Sequence, residues 1–232
     1  MTSFNLPAAA AWLLLLSPAF LTRLPAQTIS EPCGSDILHR KALHDPAFQK
    51  KHEAFEQGIF QQIKSAQPDG AVVTLPVVVH IVHQNGPENI SDAQVLQGIQ
   101  QLNDAFANTA YYDQGSGVNT MIQFCLAKRS PDNLVTNGIT RDVNNLTDMT
   151  LESEDLALKN LNRWDPTRYV NIWLVREICS ASSGCGVAGY AYFPSAHGSN
   201  IDGIVMEANW LGSSPGNTGV LAHEMGHYLG LY

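Results

Sequence analysis

The sequence predicts an α/β (α+β) domain in which strands and amphipathic helices alternate. Three observations support this. Strand candidates recur at 71–82, which is rich in β-branched residues, at 121–127 and at 169–175. Helix-period apolar stripes lie between them, at 92–107 and 151–164. The composition, 44% apolar types and only 15% charged over 232 residues, permits one sizeable core. The formal charge is −8, and no Lys/Arg cluster resembles a nucleic-acid stripe. Nucleic-acid binding is therefore not expected.

In chain order, Leu6 to Leu21 is an apolar run containing Pro18, and Ala26 closes the segment LTRLPAQ. The run is short for a bilayer span, which needs about 20 apolar residues. It predicts a secretory signal peptide over 1–26, against the rival of a buried or membrane-anchoring helix. No later stretch is long enough to span, so an exported, extracellular chain is expected. Four cysteines suit such a domain with one or two bridges. Residues 27–70 are polar, with Phe48, Phe55, Ile59 and Ile63 on one helix stripe and a turn at Pro68-Asp69-Gly70. They read as a pro-region or linker arm.

The strand at 71–82 carries Pro76, which calls for a bend, bulge or edge. Ser91 and Gln94 read as a capping box for the helix at 92–107, whose Val95, Ile99, Leu102 and Phe106 share a face. Leu151, Leu158, Leu161 and Trp164 mark one face of the helix at 151–164. Further short strands are expected at 189–193 and 201–206, a loop at 207–217, and a helix from Thr218 onward.

That last helix contains His223-Glu224-Met225-Gly226-His227. Positions i and i+4 share a helix face, so both imidazoles can reach one zinc ion at about 2.0–2.1 Å. Glu224 is placed to take a proton from zinc-bound water and pass it to a leaving amine. Zinc lowers the pKa of that water and polarises the scissile carbonyl. Gly230 suits a sharp turn after the helix, because glycine adopts positive φ at low cost. In the extended pattern H-E-x-x-H-x-x-G-x-x-H, the third ligand is expected just beyond Tyr232. A catalytic zinc normally keeps three protein ligands.

HEMGHYLGL resembles the zinc helix of the metzincin metallopeptidases. Other segments narrow the resemblance to the pappalysin (cytophagalysin, ulilysin-like) family. They are CGSD at 33–36, LPVVVHIVH at 75–83, the run from Ile90 to Phe106, IQFCLA at 122–127, NGITR at 137–141, YVNIWLV at 169–175, GYAYFP at 189–194 and DGIVM at 202–206. The resemblance implies a secreted zinc endopeptidase made as a zymogen. It implies a metzincin-like upper subdomain, with a twisted, mostly parallel sheet, packed helices and an antiparallel edge strand above the cleft. Residues 71–232 would be that upper part, with the C-terminal subdomain absent and this chain by itself inactive.

By the same resemblance, Gly189, Tyr190, Ala191, Tyr192 and Phe193 form the edge strand that binds extended protein or peptide substrates. Cys33 would be a latency switch at the metal's open position. A disulfide partnership for Cys33 stands beside that reading. The cofactor is Zn2+, with Ca2+ by resemblance alone. Cys179 and Cys185 flank a small loop and suit a local bridge, against a bridge to a cysteine further on. Cys125 reads as a buried free or paired cysteine. His80 and His83 read as core or edge residues, and His39, His44 and His52 as solvated helix residues. His197 falls in a loop. Asn89-Ile90-Ser91 and Asn145-Leu146-Thr147 are glycosylation sequons. The alternative function, should the chain end at Tyr232, is a non-catalytic secreted peptide- or metal-binding module.

Overall fold

Alternation along one central strand separates two cores. The computed structural model describes residues 33–65, 70–214 and 219–231, all within one unit, Glu31–Tyr232. The expected signal peptide and the Pro68-Asp69 part of the turn lie outside the described residues. The elements are α1 (Gly34–Ala42), α2 (Pro46–Ser65), β1 (Val73–His83), α3 (Asp92–Ala107), β2 (Ile122–Leu126), β3 (Ile139–Val143), β4 (Asp148–Thr150) and α4 (Leu151–Lys159). Then come β5 (Val170–Val175), β6 (Glu177–Ser180), β7 (Gly184–Cys185), β8 (Gly189–Ala191), β9 (Ile204–Glu207) and α5 (Gly219–Tyr228).

The main sheet runs β2-β1-β5-β9-β8, with β3 also on β1. Its pairings are parallel except that of β8 with β9. This is the expected mostly parallel sheet with an antiparallel edge strand. Pro76 fits because β2 pairs with Val73–Val77 while β5 pairs only from Val77 onward. The proline therefore lies where β1 has a neighbour on one side.

All six residues of β5 are buried, as both-face coverage demands. Ile172 and Leu174 join the core under α3 and α5, with Val95, Ile99, Leu102, Leu221 and Met225. Trp173 and Val175 point the other way, to Leu38 of α1 and to Leu151 and Leu158 of α4. Ser91 caps α3, its hydroxyl accepting from the Gln94 amide at 3.2 Å. The other half of the expected capping box is diverted, because the Gln94 side chain donates to the Leu211 carbonyl at 2.8 Å.

Several expectations change. The helix at 151–164 stops at Lys159. Leu161 stays exposed, and Asn162 instead accepts from the Trp173 indole at 2.9 Å. The strand at 189–193 shortens to Gly189–Ala191 because a 3₁₀ turn begins at Pro194. The expected strand at 201–206 becomes Ile204–Glu207. Strands β3, β4, β6 and β7 are additional to the expected elements, and α1 is a separate helix ahead of the expected stripe at 48–63. Cys179 and Cys185 face each other across the β6–β7 hairpin and are disulfide-bonded. Cys125 is free but exposed, not buried. His80 and His83 are buried as expected. His39 and His52 are half-buried, not solvated, with ring centroids 4.9 Å apart. Among the described residues, no helix is long and apolar enough to cross a membrane.

Candidate metal centre

Helix α5 buries Leu221 and Met225 in the core, which turns His223 and His227 toward β8 and α1. The helix ends in a Schellman turn. Gly230 has φ +99°, its amide donates to the His227 carbonyl, and the Leu231 amide donates to the Gly226 carbonyl. That turn delivers the Leu231 carbonyl to His227 Nδ1, which donates to it at 2.7 Å. The proton is thereby fixed on Nδ1, and the Nε2 lone pair is left for a metal.

Three donors converge. His227 Nε2 lies 3.0 Å from His223 Nε2 and 3.4 Å from Cys33 Sγ. A tetrahedral ion with bonds of about 2.0–2.1 Å to nitrogen and about 2.3 Å to sulfur sets two nitrogens about 3.3 Å apart, and nitrogen about 3.6 Å from sulfur. The observed spacings lie close to these, and the nitrogen–sulfur donor set suits a borderline-soft ion. Cys33 is a free thiol, so of its two readings the disulfide is not the one present. Among the described residues, the other such cluster is Glu177 with Cys179 and Cys185, and its cysteines are committed to the disulfide.

Glu224 is only 2% exposed. Its Oε2 accepts from the Ser35 hydroxyl at 3.0 Å, and Cys33 Sγ approaches Oε1 at 3.9 Å. Burial pushes the Glu224 carboxyl up to about 8; the adjacent Cys33 adds to the rise and the Ser35 hydrogen bond opposes it. Gly189 of β8 crosses directly above, where a Cβ would lie 3.1 Å from Glu224 Cγ. A cavity of about 240 Å³ opens here, lined by Cys33, Ala188, Gly189, Val220, His223 and Glu224 among others.

The expected edge-strand residues divide by side. Gly189 meets Glu224, and the Phe193 ring lies 5.3 Å from His227. Tyr190 and Tyr192 turn away, toward α4. Tyr190 donates to Asp155 Oδ1 at 2.8 Å, which also pairs with Lys159 Nζ at 2.8 Å. Lys159 Nζ sits 4.4 Å above the Tyr192 ring and donates to the Ile201 carbonyl. Burial pulls the Lys159 ammonium below its ordinary value while Asp155 opposes that pull. His197 stacks near Tyr228, at 4.3 Å, rather than reaching the donors. Ser35, Asp155 and Lys159 are site residues beyond those expected from the sequence. Ser35 had a signal in the CGSD run; the buried pair had none, because its members look like surface residues of an acidic helix.

Residues 152–232 match the peptidase M43 family model, described as pregnancy-associated plasma protein-A. No curated protein sequence matches the chain. Among solved structures, mature mirolysin of Tannerella forsythia in complex with a cleaved peptide is 34% identical, with TM-score 0.60 over 69% of this chain and 64% of that one. Mirolysin in complex with a small compound is also 34% identical, with TM-score 0.56 over 69% and 63%. This chain thus spans just under two thirds of those two chains. A Tannerella forsythia promirolysin mutant is 31% identical, with TM-score 0.65 over 85% of this chain and 68% of that chain. With 31% identity to promirolysin over more than two thirds of that chain, this chain belongs to the pappalysin family of metallopeptidases.

Proposed function

We propose that the protein is the pro-form of a secreted, metzincin-type zinc endopeptidase, with a signal peptide at 1–26, a pro-region at 27–70 and catalytic-domain residues at 71–232. The observation that carries this reading is the convergence of Cys33 Sγ and the two Nε2 atoms of His223 and His227. When bound, zinc supplies Lewis acidity that polarises a scissile carbonyl and makes water a better nucleophile near neutral pH. His223 and His227 hold the ion, and the Leu231 carbonyl keeps His227 in the ligating tautomer. Glu224 takes the proton of the attacking water at a carboxylate oxygen and returns it to the departing amine.

Strand β8 receives an extended protein or peptide substrate by strand addition at the open sheet edge. The peptide complex of mature mirolysin supports that class of substrate. Cys33 would hold the ion beside His223 and His227 until the pro-region is removed. The promirolysin match supports a pro-form, since it covers 85% of this chain against 69% for the mature forms. The test is Glu224→Ala in the full-length enzyme. It is expected to retain stoichiometric zinc and lose about 10²–10⁴-fold in peptide hydrolysis. Turnover close to the parent's would remove Glu224 from the proposed role.

A further inference from the structure

We infer that Ser35 is a second lock of the pro-region, a hydroxyl that takes a substrate's place on the sheet edge while it covers Glu224. The inference rests on the pro-form reading above but concerns a contact that Cys33 does not make. Ser35 is 1% exposed. Its Oγ accepts from the Ala191 backbone amide at 2.9 Å and donates to Glu224 Oε2 at 3.0 Å. A serine hydroxyl has a single proton to donate. Here that proton goes to Glu224, and a lone pair goes to Ala191.

Ala191 lies on β8, whose partner in the main sheet is β9. Because the Ala191 amide reaches Ser35, it points off the strand toward the pro-region. An extended peptide adding to this edge would offer a backbone carbonyl to that amide. Ser35 Oγ is the oxygen that stands there now. The same atom occupies Glu224 Oε2, so one side chain blocks a binding contact and the proposed proton acceptor together.

The approach depends on neighbours chosen by shape. A Cβ on Gly34 would lie 2.9 Å from Tyr190 Cβ and 3.3 Å from the Gly189 carbonyl, so a side chain there would push α1 off β8. Leu38, three positions after Ser35, is buried with Val187 and Tyr190. His39, four positions after, packs on Phe193 at 4.6 Å. Residues at i, i+3 and i+4 share a helix face, and all three of these face the edge strand and its continuation. Cys33 sits just before the helix and reaches the donor cluster. The two contacts lie on one short segment, so each holds the other in place.

The test uses the metal-loaded pro-form and follows alkylation of Cys33 by iodoacetamide, read by mass spectrometry against the exposed Cys125 in the same molecule. Ser35→Ala is expected to raise the Cys33-to-Cys125 labelling ratio about tenfold, since it leaves a buried amide and a buried carboxyl without their partner. An unchanged ratio overturns the inference. Treating the parent with a chelator separates this from the metal reading. If chelation speeds Cys33 labelling and Ser35→Ala does not, Ser35 is no lock and the metal contact stands. If Ser35→Ala speeds it and chelation does not, the lock stands and the Cys33–metal contact falls. Should Ser35→Ala fail to fold, amide exchange in the parent decides. Slow exchange at Ala191 supports the contact, and exchange at the rate of an unprotected amide overturns it.

Discussion

Strands β5 and β8 belong to one sheet but are held by different physics. β5 lies between β1 and β9, and its side chains alternate between two apolar cores. Its position follows from hydrocarbon burial on both faces, which has no exchangeable partner. β8 is three residues long and pairs in the main sheet with β9. Its Tyr190 is tied to the Asp155–Lys159 pair, and its Ala191 amide to Ser35 of α1. The Tyr190 tie is internal and permanent. The Ala191 tie belongs to a segment that the proposed function requires to leave. The contrast shows how a sheet can have a rigid interior and an edge whose outer partner is replaceable.

Breaking the interior should cost most. Trp173 is fully buried in β5, stacked on His80 with centroids 5.1 Å apart. Trp173→Ala is expected to lower unfolding stability by about 4 kcal/mol, measured by urea denaturation. A loss near zero would mean that burial of β5 on both faces does not hold the sheet interior. Next comes the inner anchor of the edge. Lys159→Met strands the buried Asp155 carboxylate and is expected to cost about 3 kcal/mol, whereas Lys159→Met with Asp155→Leu should recover part of that loss. If the double variant is no better than the single, the edge is not held through charge pairing.

The smallest expected effect is a dependence of stability on pH. His80 is buried beside Asn171, Thr140 and Trp173, and burial depresses its pKa from 6.5 to about 4. The fold therefore refuses a proton that the unfolded chain accepts below pH 6.5. The sign is a stability unaffected above pH 6.5 that declines as pH falls from there toward 4. By pH 5.5 the loss from this residue should reach about 1.4 kcal/mol. His80→Gln should flatten that part of the profile. Parent and variant curves that stay parallel between pH 7.5 and 5.5 would remove His80 as its source.

How much could be read beforehand depends on how local each signal is. Helix α5 was legible because its motif, spacing and terminating glycine all lie within eight residues, and the Schellman turn at Gly230 matches that reading. Strands β1 and β5 were legible because burial on both faces forces continuous β-branched and apolar runs. Helix α1 was not, since its packing face carries Ser35, Leu38 and His39 rather than an apolar stripe. The end of α4 was misread because Leu161 and Trp164 continue a helical period that the chain abandons at Asn160, where Asn162 is drawn off to cap the Trp173 indole.

By itself the sequence determined the alternation of strands and helices and the pairing of His223 with His227 on one helix face, and it offered the Cys179–Cys185 bridge as one of two pairings. These follow from backbone period and short-range reach. Only the tertiary structure decided that Cys33 and Ser35, about 190 positions before α5, meet His227 and Glu224. It also decided that Tyr190 turns to Lys159 while Gly189 turns to Glu224. Such contacts are set by which face of α1 packs on which edge of the sheet. That choice is made by shape complementarity between distant segments, here the missing side chain of Gly34 against Tyr190, and no local periodicity encodes it.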